Sequence, residues 1–264
     1  MLVMTLAVVL SIQASSIVPT QTAKWEWDSK STVCTLKQQA SIEGVDVEIE
    51  RTPANEGTEI NFTLPVDSKL RTGVSRDAAI KTDSGRTFVG DVAVGSNRDG
   101  RRVLHLDSPD PALIENLPRT VSLQISHSKI GSFKIPVRIA AAIVTVLRDC
   151  EDKLMRDWGI DPVAWRGLKS RPIPLNRPKD RLSDLDYPGG ALTANVEADV
   201  ITRLDIGSNG TVSSCRALNV GLYAGFETAT CKALKGAKFQ PATDENGNPV
   251  SAPFVYNVKF RLAE

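Results

Sequence analysis

Histidine is scarce in this chain: His105 and His127 are the two among 264 residues, each inside an alternating, strand-like stretch. A catalytic triad or a histidine-bearing zinc site needs a particular His beside a nucleophile or carboxylates, so two isolated strand histidines read as surface or interface residues. No His-x-x-x-His, Gly-x-Ser-x-Gly or phosphate-loop pattern occurs. No catalytic residue, metal site or cofactor is therefore assigned. A charge excess is also missing: 32 Lys and Arg against 31 Asp and Glu leave a formal net charge of +1. That balance gives no basis for binding nucleic acid or an anionic membrane surface, and the expected partner is protein or envelope material. Grouped carboxylates, Asp184 with Asp186 and Asp149 with Glu151 and Asp152, fall in a charged linker and on a charged helix face, where they read as solvated surface.

Long apolar runs are lacking too. The one candidate, Leu2-Val3-Met4 through Val8-Val9-Leu10, is shorter than the about 20 residues that span a bilayer. With the small residues Ala14-Ser15-Ser16 behind it, residues 1–16 read as the core and cleavage region of a secretory signal cut after Ser16. A buried first strand or helix is the structural alternative. No Lys or Arg precedes the run, which leaves room for a start further upstream.

What is present begins with four cysteines, an even number that suits an oxidising compartment. No Cys-x-x-Cys occurs, which disfavours redox catalysis and zinc. Cys215 falls on an expected strand and Cys231 on the helix after it, within reach of each other. Cys34 and Cys150 remain, near the two ends of the preceding domain, and pair naturally; four buried free thiols are the alternative.

Residues 24–165 read as a β-rich domain. Val45, Val47 and Ile49 alternate with acidic residues, Ile60, Phe62 and Leu64 follow, and further pieces centre on Phe88, Val103, Val121 to Ile125, and Phe133 to Val137, separated by turn signals such as Asp83-Ser84-Gly85. An antiparallel sandwich or barrel is the economical architecture. Trp25 and Trp27 near its start suit either an edge strand or an aromatic contact patch. Ile139 to Asp157 switches to helical period, with Ile143, Val146, Leu147, Cys150 and Leu154 on one stripe, and Trp158-Gly159-Ile160-Asp161-Pro162 stops it. Residues 166–186, with Pro172, Pro174 and Pro178 among basic residues, read as an extended, semi-rigid linker.

From residue 187 to 264 the pattern is sharper. Val200, Thr202, Leu204 and Ile206 alternate with Asp199, Arg203 and Asp205. Ser208-Asn209-Gly210 supplies a hairpin turn, and Val212, Cys215 and Ala217 carry a second strand. Phe226, Ala229, Thr230, Ala233 and Leu234 recur at helical spacing. Phe239-Gln240-Pro241-Ala242 breaks that helix, Asp244-Glu245-Asn246-Gly247-Asn248 makes a polar turn better suited to a hairpin than to calcium, and a long strand closes the chain. The fold class is α+β: an N-terminal antiparallel sandwich-like domain with a terminal helix, then a three-stranded antiparallel sheet with a packed helix.

The ordered set Tyr187-Pro188 with Ala191, Val196-Glu197, Asn209-Gly210-Thr211-Val212, Phe226-Glu227-Thr228-Ala229, Phe239-Gln240-Pro241-Ala242 and Val258-Lys259-Phe260 resembles the C-terminal domain of TonB-type energy transducers. It departs from that pattern at Ala198, at Asn219-Val220-Gly221 and at Ala237, changes that bear on partner specificity. The resemblance implies partner capture by strand addition to the last strand, at Phe254, Val255, Tyr256, Asn257, Val258, Lys259, Phe260 and Arg261, with Val255, Asn257 and Lys259 on the outer face. It implies a protein partner in the cell envelope such as an outer-membrane receptor. Three readings follow. The first is an exported periplasmic or secreted binding protein with no stable membrane span once the signal is cleaved. The second is a membrane-anchored energy transducer whose start lies upstream, and the third places a hydrolase or inhibitor activity in residues 24–165.

Overall fold

The computed structural model describes residues 25–28, 33–38, 43–55, 57–176, 186–219 and 223–262. The apolar run of residues 1–16 and the basic stretch of residues 177–185 lie outside the described residues.

The alternating stretches of the first half become β1 (Trp25–Asp28), β2 (Cys34–Gln38), β3 (Asp46–Arg51), β4 (Thr58–Thr63), β5 (Gly73–Thr82), β6 (Thr87–Ser96), β7 (Arg102–Ser108), β8 (Ser122–His127) and β9 (Gly131–Pro136), with a short helix α1 (Ala112–Asn116) before β8. They form one nine-stranded sheet in the order β1-β2-β3-β4-β7-β6-β5-β8-β9, antiparallel throughout. Period two sends Ile49, Ile60, Phe62, Leu104, Leu106, Val92, Ile80, Leu123 and Ile125 into a single apolar cluster. Each such side chain contributes about 1.5–3 kcal/mol on leaving water. Trp25 packs at the margin of that cluster, on the edge strand β1.

Helix α2 (Ala141–Asp157) covers the cluster with Val144 and Leu147. Its buried residues are Val144, Leu147, Glu151 and Met155, whereas Val146 is exposed. The stripe is thus rotated from the one the apolar residues alone suggest, because Glu151 turns inward to meet Arg51 of β3 at 2.9 Å. Arg51 also donates to Thr58 Oγ1 at 2.8 Å and to the Gly57 carbonyl at 3.1 Å. Glu151 is therefore buried and paired rather than solvated. The Cys34–Cys150 disulfide ties α2 to β2.

The end of α2 is a Schellman turn. Gly159 takes φ +71°, its N–H reaches the Arg156 carbonyl at 3.0 Å, and the Ile160 N–H reaches that of Met155 at 2.8 Å. Asp161 then caps α3 (Pro162–Arg166), accepting from the Val163 and Ala164 N–H groups at 2.9 and 3.3 Å. Beyond α3 the chain is extended and held. Lys169 N–H bonds Thr243 O at 2.9 Å and Leu175 N–H bonds Lys238 O at 2.9 Å; between them lies β10 (Ile173–Pro174).

The C-terminal unit contains α4 (Gly189–Thr193), β11 (Ala198–Ile206), β12 (Val212–Ala217), α5 (Phe226–Leu234), β13 (Phe239–Gln240), β14 (Ala242–Thr243), β15 (Pro249–Val250) and β16 (Ala252–Phe260). Its sheet is three-stranded, in the order β12-β11-β16, and β10 pairs with β13. Phe226, Thr230 and Leu234 bury the inner face of α5, and Cys215–Cys231 links the helix to β12. Tyr187 meets Phe226 and Phe260 edge-on at 5.7 and 5.6 Å and donates its hydroxyl to the Val196 carbonyl at 2.7 Å. Gly210, at φ +74°, sits so tightly against Phe239 that an added Cβ would clash with its carbonyl oxygen. Asn209-Gly210 and Phe239-Gln240 thus form one packed joint, closed by Phe239 N–H to Gly210 O at 2.9 Å.

The second face of this sheet is covered as well. Ile201 and Val255 join Met155, Trp158, Ile160, Trp165, Val33 and Ala54 in an apolar cluster that joins the unit to α2 and α3. The Trp158 carbonyl, at the negative end of α2, accepts from Arg203 and from Arg216, each at 2.9 Å.

Candidate partner-binding edge

Strand β16 borders its sheet, with β11 on one side only. Its register pairs Val255 with Arg203, Asn257 with Ile201 and Lys259 with Asp199. Val255 directs both backbone groups away from β11: its N–H reaches Ala54 O at 3.1 Å, and its carbonyl accepts from Asn55 Nδ2 at 3.1 Å. Antiparallel alternation then turns the backbone of Asn257 and Lys259 outward too. The β11 side agrees, since Ile201 spends its backbone groups on Asn219 Oδ1 and Leu218 N–H. Asn219, one of the departures from the transducer pattern, extends the β12 side by this bond and by donating to the Asp199 carbonyl at 2.7 Å.

The eight edge residues divide by environment. Phe254, Tyr256, Val258 and Phe260 pack on the α5 side. Val255 is wholly buried against the upstream helices. Arg261 holds Asp199 at 2.7 Å. Lys259 reaches Glu59 at 3.1 Å and Glu50 at 3.9 Å. Burial, the strongest single influence, draws the Lys259 ammonium down, but Glu59, Glu50 and Asp199 together outweigh it and hold its pKa above the ordinary lysine value. Burial foremost, with Glu59, Glu48 and Asp199 adding and Lys259 opposing, holds the Glu50 carboxyl above its ordinary value.

Between β16 and the outer face of the upstream sheet lies a groove of about 830 Å³. Its far wall carries carboxylates in register across the strands: Glu50 of β3 faces Glu59 of β4, which faces Asp107 of β7, which faces Asp91 of β6. Like charges directly opposite one another destabilise a sheet; Lys259 offsets the Glu50–Glu59 end of the row, and Arg171 lines the same groove. Sequence reading missed this row and the Ala54–Asn55 contact. The acidic positions are visible as the polar half of each alternation, but their alignment needs the non-local register of β4 on β7 and β7 on β6.

The remaining candidates resolve simply. His105 lines the groove and bonds Asn61 Oδ1 at 2.8 Å, and His127 Nδ1 accepts the Lys129 N–H at 3.1 Å. Asp244 is closed on Asn248, whose side chain and N–H bond its carboxylate at 3.1 and 2.8 Å and hold its pKa low. Among the described residues no group of three or more His, Cys, Asp or Glu is placed to hold a metal ion, and no helix is long and apolar enough to cross a membrane.

The C-terminal unit is a small α+β module with one strand edge turned to a groove. Residues 183–262 match the family model described as Gram-negative bacterial TonB protein C-terminal, under a third of the 264 residues. No curated protein and no solved structure matches the chain.

Proposed function

We propose that this is an exported envelope protein that captures a protein partner through its C-terminal module, by strand addition to β16. The observation that carries the reading is the outward-facing backbone of Asn257 and Lys259 at the groove. An extended partner pairing there gains main-chain hydrogen bonds, and the neighbouring side chains supply selectivity. Export to the periplasm is supported by the two disulfides and by the family's setting in Gram-negative envelopes.

The test is partner capture from an envelope extract with the native chain and with Asn257→Pro. Because the Asn257 N–H points away from β11, proline removes a donor from the open edge and none from the internal ladder. Capture by the native chain that is lost in the variant supports the reading. Equal capture by both places the partner elsewhere. Intact mass of the exported protein checks the signal: residues before Ile17 should be absent, and their retention in a membrane fraction would favour the anchored transducer.

A further inference from the structure

We infer that the turn of Ala54 and Asn55 is a built-in stand-in for the partner strand: it occupies the Val255 position of the β16 edge and competes with a partner for it. The inference rests on the strand-addition reading and deepens it by naming what regulates the edge.

The contact has the form of strand pairing. On an antiparallel edge every second residue turns both backbone groups outward, where a neighbouring strand supplies one carbonyl and one N–H. Val255 finds both on this turn. Its N–H donates to the Ala54 carbonyl at 3.1 Å, and its carbonyl accepts from Asn55 Nδ2, a side-chain amide in the place of a backbone donor, at 3.1 Å. Pro253, the preceding outward position, has no N–H to offer, and its carbonyl accepts from Trp165 Nε1 at 3.2 Å. The outward groups of the first half of β16 are thus satisfied from within the chain, whereas Asn257 and Lys259 open on the groove.

Three features make the turn displaceable rather than a fixed wall. Its polar grip on Val255 is two hydrogen bonds, each of which a partner strand replaces in kind. Ala54 takes φ +55° to make them, a conformation that costs free energy in a residue with a Cβ. Its side chain is also the smallest in the apolar cluster it shares with Val255, so its withdrawal gives up little burial.

The experiment uses the full chain and two synthetic peptides of alternating Val and Gln with both ends capped: a short one matching the edge from Asn257 to Arg261, and a long one that also reaches Pro253. Binding is followed by amide NMR shifts at Val255, Asn257 and Lys259. Asn55→Asp keeps the acceptor that holds the Gly57 N–H at 3.0 Å but sets a carboxylate oxygen against the Val255 carbonyl; Asn55→Ala removes the donor without adding charge. In each variant the free Val255 amide should exchange faster than in the native chain. The long peptide should bind each variant about fivefold tighter than the native chain, as follows when the competing turn loses one hydrogen bond, while the short peptide binds as before. A long peptide that gains nothing in either variant overturns the competition, as does an equal gain by both peptides; both results leave strand addition at Asn257 and Lys259 standing. Absence of shifts at Asn257 and Lys259 with both peptides sinks the strand-addition reading itself.

Discussion

Val255 donates its backbone N–H to the carbonyl of Ala54 at 3.1 Å, so the last strand of the C-terminal unit is already hydrogen-bonded to the turn between β3 and β4. Ala54 adopts φ +55° there, a left-handed conformation uncommon for a residue with a Cβ. The contact sits at the border between apolar cluster and groove, and divides β16 into a buried half and an open half. The protein's architecture therefore shapes the edge that a partner would meet.

The Ile201 side chain is the simplest probe of this joint. It is buried on the face of β11 that meets α2 and α3. Ile201→Ala should destabilise the protein by about 2–5 kcal/mol through lost burial and a cavity, and should speed hydrogen exchange at the Val255 amide. A loss of stability with unchanged exchange at Val255 would mean that the joint does not depend on this cluster.

Part of this was legible and part was not, for identifiable reasons. Tight turns and local periods mark their own elements, so the Asn209-Gly210 hairpin, the α5 stripe and the Cys215–Cys231 pairing follow from neighbours in the chain, and Cys34–Cys150 is then the pair that remains. Ile201 and Val255 are different. Each is a β-branched apolar residue in the polar half of an alternation, which signals a strand buried on both faces. Read as single exceptions they suggest little; set diagonally across β11 and β16, two residues out of register on the same face, they mark an interface. Glu151 escaped because a buried carboxylate looks like a surface one until its arginine, 100 positions away, is found. The carboxylate row escaped for the same reason.

The Arg51–Glu151 pair gives a second prediction. Both side chains are about nine-tenths buried, so Glu151→Ala leaves a guanidinium without its counter-charge and should cost about 3–5 kcal/mol, whereas replacing both partners with apolar residues of similar volume should cost much less. Urea midpoints of the single and double variants decide this. Equal losses would show that the charge imbalance is not the cause.

The disulfides should differ in weight. Cys34–Cys150 closes a separation of 116 residues and Cys215–Cys231 one of 16, which loop-closure entropy ranks at about 4–5 and about 3 kcal/mol. Replacing each pair by alanines and comparing urea midpoints should reproduce that order. Non-reducing peptide mapping should find these two links, and a Cys34–Cys215 peptide would overturn the pairing.

The Arg203 and Arg216 side chains share the Trp158 carbonyl, so their removal should be non-additive. Either arginine alone satisfies that oxygen. Arg216→Ala should therefore cost little in an otherwise native chain but about 1–3 kcal/mol more once Arg203 is alanine, since the helix-end carbonyl is then left without a charged donor. Additive losses across the double-mutant cycle would indicate two independent contacts.

The groove's charges give the stability an unusual pH dependence. Glu50, facing Lys259, Glu59, Glu48 and Asp199, has a folded pKa above its ordinary value. A carboxyl raised in this way binds protons more readily in the folded state, so its ionised form costs stability above the folded pKa, and that cost lifts as pH falls through it toward about 4.3. This is opposite in sign to a salt-bridged carboxylate with a depressed pKa. Lys259 is also raised; its contribution is complete below the ordinary lysine value of about 10.4 and is lost only as pH climbs through the folded value above that. Between about pH 7 and about pH 4.5 the Glu50 effect therefore stands apart from that of Lys259. Urea midpoints of the native chain should rise on acidification relative to those of Glu50→Gln, which has no proton to take up. A constant difference between the two across that range would show that Glu50 ionises as readily in the folded protein as in the unfolded chain, and that the Glu50–Glu59 end of the row is fully neutralised by Lys259.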